Sequence, residues 1–199
     1  MEPISPLVFR TERLELRPLV DSDAEGMYDI RSREETMKHS FKKVPDIDIS
    51  DTREWIRAFS TSNLKIGYAV REIHTDTISV SDKEDKGRIV GSLYVGLERI
   101  KRADHLRWEL GYTFHPDFWV KGYATEAVQG LVKMWSRIYE LVLAPTALGT
   151  TIELIAIARK ANKASINVLL KSGFVQIGEF LGVYGSECVL FGAVNTSAT

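Results

Sequence analysis

Between Trp108 and Ala127 the chain reads W-E-L-G-Y-T-F-H-P-D-F-W-V-K-G-Y-A-T-E-A. A run of β-forming residues stops at Pro116. A short turn carrying Gly122 and the small Ala124 follows, and then a helical pattern begins. Such a strand–turn–helix gathers the free N–H groups of the helix's first turn, and the positive end of its dipole, around one point. That point can hold a phosphate without basic side chains, and small residues let a diphosphate approach the backbone. The same spacing also describes an ordinary turn with a glycine in it, so the loop alone leaves both readings open. Neither G-x-x-x-x-G-K-S/T nor G-x-G-x-x-G occurs, which sets aside two familiar phosphate loops. A second stretch, N-K-A-S-I-N-V-L-L-K-S-G-F from Asn162 to Phe174, reads as a capped helix closed by Gly173 with Phe174 entering the core.

The elements that must position these two stretches follow from periodicity. Thr11 to Val20 reads as a strand, and Asp21-Ser22-Asp23 as the cap of a helix running to about Arg31. Poorly patterned polar sequence extends to Asp48. A helix then opens near Ser50 or Asp51, with Trp55, Ile56 and Phe59 at helical spacing. Strands are expected over Gly67 to Ile73, Arg88 to Leu97 and Leu106 to Phe114, with a polar loop from His74 to Lys86. Gly122 to Ile138 has a broad apolar helical face, and Leu143 to Thr151 reads as a loop. Ile152 to Ala158 is apolar almost throughout, as suits a strand buried on both faces. Phe174 to Leu181 and Glu187 to Val194 make a final hairpin. The order predicts an α+β class fold, an α/β sandwich of a mixed sheet with helices packed on it.

The 199 residues fit one domain, with an ordered core from about 8 to 194. Lys and Arg total 26 against 27 Asp and Glu, a net charge of −1, without the basic excess of a nucleic-acid or anionic-membrane binder. Cys188 is the only cysteine, so no internal disulfide forms and no multi-cysteine zinc site exists. No apolar run approaches a membrane span and the N-terminus lacks the pattern of a secretory signal, so a cytoplasmic protein is expected.

Taken together, these stretches resemble the GNAT superfamily of acetyl-CoA-dependent N-acetyltransferases, most of all the ribosomal-protein N-alanine acetyltransferase type. That family's loop often reads W-G-K-G-Y-A-T-E-A, and Trp119-Val-Lys-Gly122-Tyr-Ala124-Thr-Glu126-Ala is similar to it. Its later N-x-x-S-x-x-x-x-x-K-x-G-F matches Asn162, Ser165, Lys171, Gly173 and Phe174, and its opening T-E-R-L-x-L-R-P-L matches Thr11 to Leu19. The three landmarks stand in the family's order and span nearly the whole chain. Two positions depart from it. Trp119 replaces the arginine or glutamine that opens the loop, and Val120 stands where glycine is frequent. A β-branched residue avoids positive φ, so Val120 is expected at negative φ.

The resemblance implies a mostly antiparallel sheet with a V-shaped splay between two parallel strands, Leu106 to Phe114 and Ile152 to Ala158, with helices on both faces. Acetyl-CoA is the implied co-substrate. Its pantetheine arm would pair with the backbone near Tyr112, Thr113 and Phe114, and its diphosphate would sit on the N–H groups of Val120, Lys121, Gly122, Tyr123, Ala124 and Thr125. Asn162 would hydrogen-bond the arm. The implied reaction is attack of a neutral primary amine, on a protein N-terminus or a small molecule, on the thioester. A backbone N–H at the splay would meet the oxyanion. Glu109 resembles the position of the family's general base; it is equally an exposed strand glutamate or half of an ion pair. Ser165 matches the serine that bonds the leaving thiolate; it could equally cap its own helix. The tyrosine acid many members carry one turn before Gly173 is here Leu169, leaving Ser165, a water or another tyrosine such as Tyr184 for that task. A monomer or homodimer fits. Two further readings stay open: a non-catalytic acyl-CoA-binding module, and an interaction domain with a defunct groove.

The remaining conspicuous residues have plainer readings. His115 structures a loop, and His39, His74 and His105 have no metal spacing. Cys188 packs in a strand. Trp55, Trp108 and Trp135 are core residues, with Trp108 also able to line the acceptor pocket.

Overall fold

Period-two apolar patterning produces eight strands, which join one sheet in the order β1-β2-β3-β4-β5-β6-β8-β7 in a computed structural model. Described are residues 8–40, 42–73, 87–97, 106–143, 150–182 and 185–194. The strands are β1 Phe9–Arg10, β2 Leu14–Pro18, β3 Lys65–Glu72, β4 Ile89–Leu97, β5 Leu106–Phe114, β6 Thr150–Arg159, β7 Phe174–Leu181 and β8 Glu187–Ala193. The helices are α1 Ala24–Arg31, α2 Glu34–Met37, α3 Ile49–Ser60, α4 Tyr123–Ile138 and α5 Lys163–Lys171. Every neighbouring pair is antiparallel except β5 with β6. Among the described residues no helix is long and apolar enough to cross a membrane.

Adjacent residues of a strand face opposite ways, and the core divides accordingly. Tyr68 joins the larger cluster with Trp108, Leu110, Phe114, Leu154, Ala156, α4's Leu131 and Trp135, and α5's Leu169. Ala69, next to it, joins the smaller cluster with α1's Met27 and Ile30 and α3's Ile56. Helices α4 and α5 therefore cover one face of the sheet, and α1 and α3 the other. Ala127, Val128, Leu131, Trp135 and Ile138 form the buried stripe of α4. Trp135 packs on Trp108 with ring centroids 6.3 Å apart, and its indole N–H donates to the Ile152 carbonyl at 2.5 Å. That indole spends its one polar atom on β6 while burying an aromatic worth ~2–3 kcal/mol.

The expected strand Thr11 to Val20 is present but shorter, as β2 Leu14–Pro18. A turn in which Thr11 N–H donates to the Leu14 carbonyl at 2.8 Å separates β1 from β2. Asp23 does not cap α1. Its carboxylate turns back to accept from Val20 N–H at 2.9 Å and to pair with Arg17, and Asp21–Asp23 form a 3-10 turn. The polar stretch before Asp48 contains α2. The cap of α3 is Asp48, accepting from Ser50 N–H at 2.6 Å, rather than Ser50 or Asp51. Residues Tyr139–Leu143 continue α4 as a π-helical turn, where the sequence suggested a helix end at Ile138. The loop His74 to Lys86 and Tyr184 lie outside the described residues, as does most of the loop after Leu143.

Candidate functional site

The sheet opens at one place. β5 and β6 run in parallel register from Leu106 opposite Thr150 to Leu110 opposite Ala156. Beyond that point β5 continues to Phe114 paired only with β4, and β6 continues to Arg159 paired only with β8. A gap therefore begins at Gly111, two residues past Glu109, which sits opposite Ile155. His115 N–H donates to Val90 on the β4 side at 2.9 Å. Strand alternation then turns the N–H and C=O of Tyr112 and Phe114 into the gap and those of Thr113 toward β4. Thr113, paired opposite Ser92, is thus not an edge position for main-chain pairing. The Phe114 carbonyl already accepts from the Trp119 indole at 2.7 Å. Tyr112 is the position in this segment that keeps both backbone groups toward the opening.

That indole contact fixes the turn between β5 and α4. Trp119 N–H also donates to Pro116 at 3.0 Å, and His115 Nδ1 accepts from Asp117 N–H at 3.2 Å, so the buried His115 structures this loop as expected. The turn then reverses through two left-handed residues, Val120 at φ 62° and Gly122 at φ 84°. The expectation of negative φ at Val120 is overturned. Its side chain is wholly in solvent, so nothing resists the rotation except its own branch, at ~1–2 kcal/mol. What the turn does with this is visible in its amides. Glu126 N–H, which reaches the Gly122 carbonyl at 3.0 Å, is the first of α4 to find a backbone partner. Among the described residues, the N–H groups of Val120, Lys121, Gly122, Tyr123, Ala124 and Thr125 have no protein acceptor. An anion fits such a cluster at a helix N-terminus.

The cluster is held from the other end of the sequence. Glu126, in the first turn of α4, accepts from Thr11 Oγ1 at 2.5 Å, Arg13 N–H at 2.8 Å and Arg13 Nε at 2.7 Å. Arg13 also donates through Nη1 to the Lys121 carbonyl at 3.1 Å, and its guanidinium lies 4.5 Å from the Tyr123 ring centre. Tyr123 packs edge-on against Phe118 and donates its hydroxyl to Glu72. Burial pushes the Glu126 carboxyl up, but the bonds from Thr11 and Arg13 outweigh it and hold the group below its ordinary value. The Glu126 hydrogen bond raises Arg13, and the Glu72 bond, ahead of burial, raises Tyr123. The pair Arg13–Glu126 is neutral as a unit, which leaves attraction of an anion here to the amides and the exposed Lys121.

The other sequence-predicted residues divide between the two faces of the gap. Trp108, Leu110, Tyr112 and Phe114 face α4 and α5; Glu109, Gly111 and Thr113 face α1 and α3. On the α5 side, Tyr112 stretches its hydroxyl across the opening to Ser165, 2.8 Å from Oγ and 3.0 Å from the carbonyl. Burial raises the Tyr112 pKa to about 12 against the lowering effect of the Ser165 bond. Asn162 caps α5, its Oδ1 accepting from Ser165 N–H at 3.2 Å, and Leu169 is buried. On the opposite side, Glu109 is half-buried beside Gly111, over which the Tyr94 ring lies so closely that a Cβ on Gly111 would come within 2.2 Å of it. Further along the same face of β6, Arg159 donates to the Ser40 carbonyl at 3.4 Å. The structure thus brings Glu109 and Ser165 to the same gap from opposite faces. Trp108 lies on the α4 side, fully buried, and lines no pocket on the Glu109 side. Cys188 is buried in β8 as expected.

Sequence reasoning assigned Tyr112 a main-chain role and missed its hydroxyl. The period-two count from the buried Trp108 would have placed that side chain on the α5 face. It also missed the Arg13–Glu126 anchor. The signal was present as two separate motifs, T-E-R-L and A-T-E-A, with nothing in either to say that they touch.

Residues 13–175 match the family described as acetyltransferase (GNAT) domain. The fold is similar to that of a GNAT-family acetyltransferase from Bacillus anthracis, at 21% identity and TM-score 0.70, covering 94% of this chain and 98% of that one. It is also similar to a ribosomal-protein-S5-alanine acetyltransferase from Vibrio fischeri, at 18% identity and TM-score 0.66 over 95% of this chain and 97% of that one. A third similar structure is spermidine N-acetyltransferase from Vibrio cholerae in complex with CoA and spermine, at 14% identity and TM-score 0.66 over 92% of this chain and 95% of that one. With most of its length matched, the chain belongs to the GNAT acetyltransferase family and is an acyltransferase.

Proposed function

We propose that this protein transfers an acetyl group from acetyl-CoA to a primary amine, on a protein N-terminus or a small molecule, by direct attack on the thioester. The observation that carries the reading is the opening of the sheet just past Leu110, next to Glu109, with unpartnered amides at one end of it. In this reading the N–H groups of Val120, Lys121, Gly122, Tyr123, Ala124 and Thr125 hold the diphosphate. The Tyr112 backbone, and the Phe114 N–H, pair with the pantetheine amides. Thr113 bounds the gap through its side chain, and Asn162 offers the arm its side-chain N–H₂, its oxygen being committed to α5. Bound acetyl-CoA supplies the activated carbonyl. A backbone N–H at the opening stabilises the oxyanion. Ser165 meets the departing sulfur, and Glu109, from the other face, takes the proton of the amine directly or through water.

The two-faced arrangement has a chemical use. The amine approaches the carbonyl from the α1 and α3 side, the thiolate departs on the α4 and α5 side, and base and donor never compete for one space. An α-amine with pKa near ~7.7–8 is partly neutral at physiological pH, whereas an alkylamine near ~10.4 is almost wholly charged, so the second acceptor class needs Glu109 more. The relatives' names, a ribosomal-protein alanine acetyltransferase and a spermidine acetyltransferase, cover both classes. A cytoplasmic setting fits the single unpaired cysteine. The test is release of free CoA thiol from acetyl-CoA on addition of acceptors, using peptides with free N-termini and a set of polyamines and alkylamines. Acceptor-dependent release with mass gain of one acetyl group on the amine is the expected result. Tight CoA binding with no release across both sets overturns the reading.

A further inference from the structure

In the acyl-transfer reading above, on which this inference rests, Ser165 meets the leaving sulfur. Its hydroxyl, however, already has a partner. The Tyr112 hydroxyl lies 2.8 Å from Ser165 Oγ and 3.0 Å from the Ser165 carbonyl oxygen. Counting protons limits what these contacts can be. A carbonyl only accepts, and each hydroxyl has one proton to give. If Tyr112 donates to the carbonyl, the second contact exists only when Ser165 donates to the tyrosine oxygen, and the serine proton is turned away from the gap. If Tyr112 donates to Ser165 Oγ, the serine proton is released to point elsewhere. The two arrangements differ by rotation about two C–O bonds, with no movement of heavy atoms.

We propose that Tyr112 is a positioning residue that decides the direction in which Ser165 donates: it parks the serine proton at rest and frees it toward the sulfur when negative charge develops there. The carbonyl that Tyr112 abandons is not orphaned, because it lies within α5 and helical bonding already serves it. Tyr112 keeps its own proton throughout, consistent with a phenol that burial holds protonated. The atoms balance accordingly. A bond forms between the amine nitrogen and the acetyl carbon, and the carbon–sulfur bond breaks with its electron pair on sulfur. The amine proton passes to Glu109 or water, and Ser165 hydrogen-bonds the thiolate without losing its proton. Leu169, buried one turn before Gly173, brings no donor of its own. The control of this end of the gap therefore comes from β5, across the opening, rather than from the helix that carries the serine.

The test is the ionisation of CoA's own thiol when bound to the full chain, followed by the ultraviolet absorbance of the thiolate during a pH titration. This readout needs no turnover. Tyr112→Phe removes the donor that polarises the serine hydroxyl toward the sulfur and is expected to lower the ionisation constant of the bound thiol about threefold, with CoA affinity for the protonated thiol within about twofold of wild type. Ser165→Ala is expected to lower it at least as far, and the double variant no further than Ser165→Ala alone, because Tyr112 acts through the serine. Placing 3-fluorotyrosine at position 112 alone strengthens the donor without changing the fold and is expected to raise the ionisation constant, which keeps the test decisive if the phenylalanine variant folds poorly. An unchanged constant in Tyr112→Phe or with fluorotyrosine, or additive losses in the double variant, overturns the proposal while leaving acyl transfer intact. Failure of wild-type protein to bind CoA by calorimetry overturns the acyl-transfer reading itself.

Discussion

Replacing Arg13 by methionine separates the anchor of the α4 turn from everything else in the site. The variant keeps an unbranched apolar stem against Tyr123 and keeps the Arg13 backbone N–H on Glu126. It removes the Nε bond to Glu126 at 2.7 Å, the Nη1 bond to the Lys121 carbonyl at 3.1 Å and the cation over the Tyr123 ring. A charge-assisted bond is worth ~1.5–3 kcal/mol, and a cation over an exposed ring ~0.5–1. Arg13's side chain is 41% exposed against 15% for Glu126, so solvent screening takes back part of this, leaving about 2 kcal/mol. For a chain of this size that is a fall in Tm of about 4–8 °C. Because the folded Glu126 carboxyl lies below 4.5, its contribution is present above that pH and lost as pH falls through the folded value. The gap in Tm between wild type and variant is therefore full near neutrality and narrows in acid, below about 4.5. The variant also leaves a lone carboxylate beside the free amides and an unsupported Lys121, and both effects weaken binding of a diphosphate. Calorimetry with CoA is expected to show about tenfold lower affinity, or ~1.4 kcal/mol. A drop in Tm with unchanged CoA affinity would refute the link between anchor and turn. A Tm gap that persists undiminished in acid would refute the assignment of the energy to the charged pair.

Three further outcomes are expected. Glu109→Gln should lower kcat by about 10²-fold or more with amine acceptors of high pKa, with CoA affinity unchanged; equal turnover across the pH range removes Glu109 from proton transfer. Asp46→Asn should destabilise the fold by about 3 kcal/mol in chemical denaturation. It strips the charge from a buried carboxylate that receives Arg31 at 2.7 Å, Thr52 at 2.7 Å and Lys42 at 3.0 Å, and leaves Arg31 buried without its counterion; a loss under 1 kcal/mol refutes this. Val120→Asn should stabilise by ~0.5–1 kcal/mol, since asparagine tolerates left-handed backbone and the valine side chain packs on nothing; a lower Tm would mean that the strain is not where φ puts it.

Legibility followed the range of the interactions. Strands β5, β7 and β8 and helices α4 and α5 were readable almost to the residue, because period and stop signals such as Pro116 and Gly173 are local. The Asp48 cap was displaced by two residues because Asp, Ser and Asp at 48, 50 and 51 are equally good caps, and only packing chooses among them. The first strand was placed three residues early because Thr11 looks like a strand residue, although the Thr11 N–H turns back to the Leu14 carbonyl. Val120 was misjudged by a sound local rule. Intrinsic preference excludes positive φ for a branched residue, but the Trp119 indole, tied to Phe114, fixes where the turn must begin, and the following glycine cannot supply both reversals alone.

The two missed elements share a cause that bears on how the site works. Arg13 and Glu126 are 113 residues apart, and Tyr112 and Ser165 are 53 apart. Each pair ties the first turn of a helix to a distant segment, Glu126 to the turn before β2 and Ser165 to the open edge of β5, and the two helix ends flank the same opening. A gap in a sheet removes the ladder of hydrogen bonds that would otherwise fix the positions of its two arms. β5 beyond Leu110 has no bond to β6, so contacts outside the sheet supplement what holds the two arms. The Tyr112 hydroxyl does this by reaching α5, which follows β6, while Arg13 holds the start of α4, which follows β5. Side-chain bonds thus replace the backbone bonds that the opening gave up. On this view Tyr112→Phe and Arg13→Met act on different aspects of one geometry: the first on the direction of a proton, the second on the shape of a turn. Their effects on CoA should separate, with the thiol's ionisation moved by the former and the affinity by the latter. A variant of either residue that moved both quantities in parallel would mean that the two arms shift as one body, and that the opening is set by the sheet after all.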